Sequence, residues 1–135
     1  MYNEKVMTVF KELKNVGALQ GANGIGKVGN AACGDIMKVY LKINNEGVIE
    51  DAKFKTFGCV AAISSTSVAT EMVKGKTIKE ALEIKNSDVI AELGGLPPQK
   101  VHCSVMAEEA IRAAIEDYYK RLEKQQKQEN IDDEE

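Results

Sequence analysis

The sequence predicts an α+β fold, with antiparallel strands set between one leading helix and several trailing ones. Three observations carry this. Residues 37–43 alternate, with Met37, Val39, Leu41 and Ile43 on one face and Lys38, Tyr40 and Lys42 on the other, the period of a half-buried strand. The leading segment repeats instead at helical spacing, through Val6, Val9, Phe10 and Leu13. After Gly58 helical sequence dominates.

Taken in order, the first helix is expected over residues 3–16, with Asn3 as N-cap and Gly17 at the C′ position. Four glycines follow within residues 21–29. Gly24, Gly26 and Gly29 resemble a dinucleotide-binding fingerprint, but that motif needs a strand before it and a helix after it. Here a helix precedes, so the stretch reads as a flexible loop, and residues 28–33 as a further strand. Asn44-Asn45-Glu46-Gly47 is a turn, and residues 48–57 pair back on 37–43 as a hairpin. A helix is expected over 59–74, where Ala and Ser permit close approach to neighbours. Two short helices follow, 77–84 and 87–93, opened by Thr77 and Ser87. Gly94-Gly95-Leu96-Pro97-Pro98 ends this run. The last helix is placed over 104–124, with Ala110, Ile111, Ala114, Ile115, Tyr118 and Leu122 as its apolar stripe and Glu108–Arg112 and Glu116–Lys120 as i,i+4 pairs.

The 135 residues suit a single domain, placed at residues 1–124, with 125–135 as an acidic, frayed tail. A chain of this size buries roughly two-thirds of its unfolded surface and needs no disulfide. There are 18 Lys and Arg against 21 Asp and Glu, a formal charge of −3. Residues 123–135 hold six of the acids and two of the bases, which leaves the body near neutrality. Nucleic-acid binding therefore has no electrostatic footprint. No window reaches the ~18 apolar residues of a membrane span, and residues 1–10 lack a signal-peptide core. Both point away from membranes and towards the cytoplasm.

Three cysteines, Cys33, Cys59 and Cys103, are an odd count that cannot pair fully. In a reducing compartment such cysteines read as metal ligands, reactive thiols or core filler. Each is expected at a joint: Cys33 between two strands, Cys59 where a strand gives way to a helix, and Cys103 just before the final helix. None falls within a regular apolar stripe. Cys59 and Cys103 would lie near helix N-termini, whose partial positive charge favours the thiolate, the metal-binding form. Gly34 and Gly58 remove bulk beside two of them. Asp35 and His102 stand close in sequence, and either completes a four-ligand set. With no CxxC pair this is not the usual zinc-finger pattern; a Cys₃His or Cys₃Asp zinc site and an iron–sulfur cluster both remain open. A carboxylate is harder than a thiolate, so Asp35 as a ligand should leave a cluster less firmly held.

Three stretches carry a resemblance: 32–38 (Ala-Cys-Gly-Asp-Ile-Met-Lys), 54–59 (Phe-Lys-Thr-Phe-Gly-Cys) and 96–104 (Leu-Pro-Pro-Gln-Lys-Val-His-Cys-Ser). Together they resemble the IscU/NifU family of iron–sulfur cluster assembly scaffolds, over about residues 2–119. The resemblance implies a three-stranded antiparallel sheet with helices packed on it. It implies a [2Fe–2S] cluster assembled from iron, persulfide sulfur from a cysteine desulfurase, and electrons from a donor such as ferredoxin, then passed to apo-proteins. It carries the cluster site to Cys33, Asp35, Cys59, His102 and Cys103, with Cys103 as persulfide acceptor. It puts an Hsp70-type chaperone at Leu96, Pro97, Pro98 and Lys100, where Gln99 departs from the family's usual apolar residue. Val60-Ala61-Ala62 departs from the family's Gly-Ser-Ala, and the family's N-terminal proline and histidine are absent. Tyr2 matches a family tyrosine linked to self-association, and a homodimer sharing clusters stays open.

Two rivals remain. One is a zinc-binding sulfur acceptor of the SufU-like type, with zinc in the cluster-free form; retention of His102 favours the IscU/NifU branch. The other is an enzyme with Cys103 as nucleophile and His102 as base, although neighbouring residues seldom face each other suitably and no orienting third group is evident.

Overall fold

A computed structural model describes residues 2–30 and 34–133. The order is α1 (Glu4–Lys11), β1 (Gly24–Asn30), β2 (Asp35–Ile43), β3 (Ile49–Phe57), α2 (Val60–Val73), α3 (Ile78–Glu83), α4 (Asn86–Glu92), a 3₁₀ turn (Pro98–Lys100) and α5 (Val101–Asp133). The strands form one antiparallel sheet in the order β1-β2-β3. The predicted α+β class and hairpin are what the chain adopts, with the turn at residues 44–47 held by the Asn44 carboxamide, which accepts from the Glu46 and Val48 amides.

Met37, Val39 and Leu41 point from β2 into the core, opposite Thr56, Phe54 and Ala52 of β3 and Val28, Gly26 and Gly24 of β1. Helices α2 and α5 cover this face. The flexible loop expected over residues 21–29 is instead mostly β1. Its glycines serve packing: a Cβ on Gly26 would lie 2.3 Å from the Ala110 carbonyl oxygen, and one on Gly24 2.5 Å from that of Ala114. Only bare backbone lets α5 sit so close to the sheet. Asp117 of α5 then accepts from the Ile25 amide at 2.9 Å, giving the edge strand a partner.

Helix α1 is shorter than expected. It is N-capped by Asn3, whose Oδ1 accepts from Val6, but it ends at Lys11 with Glu12 as C-cap, not at Gly17. Residues 14–17 leave the helix to run along β3. Asn15 is the one non-glycine with positive φ among the described residues (+69°), its carbonyl accepts from the Phe54 amide, and the Gly17 amide donates to the Phe54 carbonyl. An edge of sheet hydrogen bonding outweighs the helical period of residues 13–16.

Helix α2 is as expected. Thr77 caps α3 with a reciprocal box to Glu80. Helix α4 begins earlier than Ser87, after Lys85, whose amide donates to Asp88. Helix α5 exceeds its expected span at both ends, starting at Val101 and continuing through Asp133. On it Leu122 is exposed, while Cys103, Met106, Ala107, Ala110, Ile111, Ala114 and Ile115 are buried. The Glu108–Arg112 pair forms at 2.9 Å. Asp117–Arg121, at 3.0 Å, takes the place of the expected Glu116–Lys120 among the described residues.

Candidate metal centre

The end of the sheet where β2 begins and β3 finishes gathers the chemistry. Gly34, with φ of +68°, turns the chain into β2, and Asp35 follows as its first residue, only 3% exposed. Across the sheet β3 ends at Phe57, pairing with Ile36. Gly58 then leads to Cys59, the N-cap of α2. The third arm is the first turn of α5, which holds Cys103.

These arms meet. One carboxylate oxygen of Asp35 and the Sγ atoms of Cys59 and Cys103 all lie within 4.8 Å of one another. The Cys59 thiol points at Asp35 Oδ2 from 3.9 Å, a long contact that leaves the carboxylate available for a stronger ligand. For comparison, ligand atoms about 2.3 Å from a tetrahedral ion stand about 3.8 Å apart. A small contraction of the three arms reaches that spacing. The set mixes soft sulfur with hard oxygen, a donor combination that takes iron or zinc.

Gly58 has a definite role here. A Cβ at that position would lie 2.6 Å from Asp35 Oδ1 and 2.8 Å from its Cγ. The glycine makes room for the carboxylate.

Cys103 corrects an expectation. It lies inside α5, fully buried and at the head of the stripe that continues through Met106, Ala107 and Ala110. It therefore occupies a position usual for core cysteine while its sulfur also faces Asp35 and Cys59. Its neighbour His102 is exposed and brings Nε2 to 3.5 Å from the Cys103 sulfur. Adjacent residues do approach each other in this helical turn, contrary to expectation, although His102 is outside the tight three-residue group. Cys33, the remaining cysteine, lies outside the described residues. Leu96, Pro97, Pro98 and Lys100 form the half-exposed to exposed turn leading into α5.

Sequence reading passed over Tyr2 as part of this site. Burial, and then the nearby Cys59 thiol, hold its phenol above the usual range; Cys103 acts in the same sense, while the Lys100 ammonium and the Ala61 amide oppose them. The next residue is tethered: Asn3 Nδ2 donates to the carbonyls of Leu93 (3.0 Å) and Gly95 (3.2 Å). Asn3, legible as an N-cap, was the available signal that the N-terminus is anchored near the 94–100 turn.

Residues 1–125 match the family model described as the NifU-like N terminal domain. The chain is 53% identical over 121 residues to an iron–sulfur cluster assembly scaffold protein IscU of Archaeoglobus fulgidus, covering 90% of this chain and 78% of that one. It is 52% identical over 125 residues to the IscU scaffold protein of Escherichia coli, covering 90% and 97%. Among solved structures it resembles an iron–sulfur cluster assembly scaffold for the SUF system from Fervidobacterium islandicum, with a TM-score of 0.71, 26% identity, and coverage of 84% of this chain and 95% of that one. A NifU-like N-terminal protein of Brucella abortus has the same fold, with a TM-score of 0.73 at 20% identity over 87% and 94%. By sequence match along nearly its whole length and by fold, this chain belongs to the NifU-like N-terminal domain family, the family of the IscU scaffolds.

Proposed function

We propose that this protein is a scaffold on which a [2Fe–2S] cluster is built from iron and desulfurase-derived sulfur, and from which the cluster passes to apo-proteins. The observation that carries the reading is the convergence of Asp35, Cys59 and Cys103 within 4.8 Å, from three separate elements, at one end of the sheet. Cys33, two residues before Asp35, joins them as the third thiolate, and His102 stands by at the rim. The protein acts by binding and release; the relatives named above are themselves called scaffold proteins.

The residues divide the work. Cys59 is the more exposed of the two described thiols and Cys103 is buried. Buried as it is, Cys103 must become accessible before it takes sulfur delivered as persulfide, because thiol–disulfide chemistry needs access to the sulfur. Asp35 supplies the hard ligand that weakens the hold on the cluster. The turn through Leu96, Pro97, Pro98 and Lys100 is the docking segment for an Hsp70-type chaperone, and a cysteine desulfurase and a ferredoxin-type donor work at the thiol end. The functional unit is residues 1–124, so truncation after Lys124 leaves cluster assembly intact. None of the described helices is long and apolar enough to cross a membrane, which fits work in the cytoplasm. Zinc occupies the site in the cluster-free protein; the compact spacing of three donors supports this, while the SufU-like reading rests on a more distant relative.

The test is anaerobic incubation with iron, sulfide and a cysteine desulfurase. The expected product is brown, with sulfide-to-iron charge-transfer bands that disappear in Cys33→Ser, Cys59→Ser and Cys103→Ser. A colourless protein that retains only zinc contradicts the proposal.

A further inference from the structure

At the far end of α2 from Cys59, a groove of about 300 Å³ opens between α1, α2 and α4. The thirteen residues from Cys59 to Met72 span about 20 Å at helical rise, so this surface is separate from the thiol site. Its floor is Val9, Val68 and Met72, all half-buried. Its rim is Glu12, Glu71 and Glu92, with Lys14 the one basic lining residue.

The placement of these carboxylates is unusual. Glu12 is the C-cap of α1, Glu71 stands in the last turn of α2, and Glu92 is the last residue of α4. Helix C-termini carry partial negative charge and favour cations. Here three such ends converge, and each contributes an acid. Glu71 is engaged by the Asn15 amide (3.0 Å) and by Lys74 (3.0 Å). Glu12 and Glu92 are exposed and make no ion pair among the described residues. The result is an apolar floor under a rim of three carboxylates, of which Glu71 is held by Lys74 and Glu12 and Glu92 face solvent, with Lys14 the one lining cation.

We infer that this groove docks a basic amphipathic helix of a partner protein, its apolar side chains on Val9, Val68 and Met72 and its cations against Glu12 and Glu92. Helix-in-groove recognition of this kind uses apolar anchors at i, i+3, i+4 and i+7. The other occupants fail on charge. A second copy packed through the same face would set acid rim on acid rim. Residues 123–135 hold six acids and two bases and are repelled. Membrane surfaces and nucleic acids are themselves anionic.

The full-length protein is titrated against a fluorescein-labelled helical peptide with Leu at i, i+3, i+4 and i+7 and Lys elsewhere, followed by anisotropy at low and high salt. Saturable binding is expected, weakened about tenfold by the double variant Glu12→Gln/Glu92→Gln and by added salt, and also weakened by Met72→Ser. Cys59→Ser should bind the peptide unchanged and so separate this surface from the thiol end. Circular dichroism melts confirm that the variants fold; the glutamine pair replaces exposed side chains and keeps their shape. The inference is overturned by no binding, by equal affinity in the glutamine variant, by equal affinity for a peptide with Glu in place of Lys, or by loss of binding in Cys59→Ser. A wild-type dimer that dissociates in the glutamine variant would assign the groove to a second copy and overturn it as well.

Discussion

At its N-terminus α2 presents Cys59 to Asp35 and Cys103; fourteen residues later its C-terminus meets the ends of α1 and α4 and their carboxylates. The two ends are built by opposite means. The thiol end is assembled at turns, with Gly34 in the left-handed region and Gly58 clearing space for the Asp35 carboxylate. The far end is clamped: Asn15 donates to Thr70 and Glu71 and accepts from Lys74, while the Ser67 hydroxyl exchanges hydrogen bonds with the Lys14 backbone. A site that must admit and surrender its cargo needs a rigid body behind it.

The body between the ends offers the largest effect. Gly26→Ala sets a methyl group 2.3 Å from one α5 backbone atom and 2.4 Å from another, neither the tip of a flexible side chain. Overpacking of this kind costs about 3 kcal/mol, a fall of about 10 °C in melting temperature for a domain of this size. A calorimetric scan checks it; an unchanged midpoint would mean that α5 stands farther from β1.

Gly58→Ala should split the ends. The added methyl pushes on the Asp35 carboxylate, a side chain able to shift, so the stability loss stays near 1 kcal/mol. Metal retention at the thiol end should nevertheless fall severalfold in a chelator competition assay, with peptide binding at the far groove unaffected. Equal retention would remove Asp35 from the site.

Asn15→Ala acts on the clamp alone. It loses the side-chain hydrogen bonds and keeps a backbone conformation disfavoured for alanine, at about 1–2 kcal/mol. Asn15→Gly relieves the strain and should cost less. Denaturant unfolding of the pair separates the two contributions.

The smallest effect is a pH dependence at the same clamp. The Asn15 amide, and then Lys74, hold the Glu71 carboxyl below the usual range. A carboxyl lowered in the folded state stabilises above its unfolded pKa, and that contribution fades as pH falls through the folded value. Glu71→Gln should flatten the acid limb of the stability curve slightly, as suits a largely solvated pair.

Much of this was legible in residue patterns. The alternation of Met37 to Ile43 and the capping residue Thr77 are local signals, and local physics decided them. The motifs holding Asp35, Cys59 and Cys103 pointed to the cluster of donors before any geometry, while Cys33 lies outside the described residues. Other features depended on partners distant in sequence. Gly24 and Gly26 look like loop residues until α5 lies against them. Residues 14–17 continue a helical period until the edge of β3 offers hydrogen bonds that the helix cannot match. Cys103 reads as a joint residue because the helix start was placed three residues late, hiding its position on the buried stripe. Tyr2 came close to the thiols through the tether made by Asn3, a contact spanning some ninety residues.

The measurement that tests the account most directly is the rate of cluster transfer from the reconstituted protein to an apo-ferredoxin, compared with that from Asp35→Ala. If the carboxylate is the hard donor that loosens the cluster, the variant should assemble a cluster and release it at least several times more slowly. Release from Asp35→Ala at the wild-type rate or faster would contradict the account.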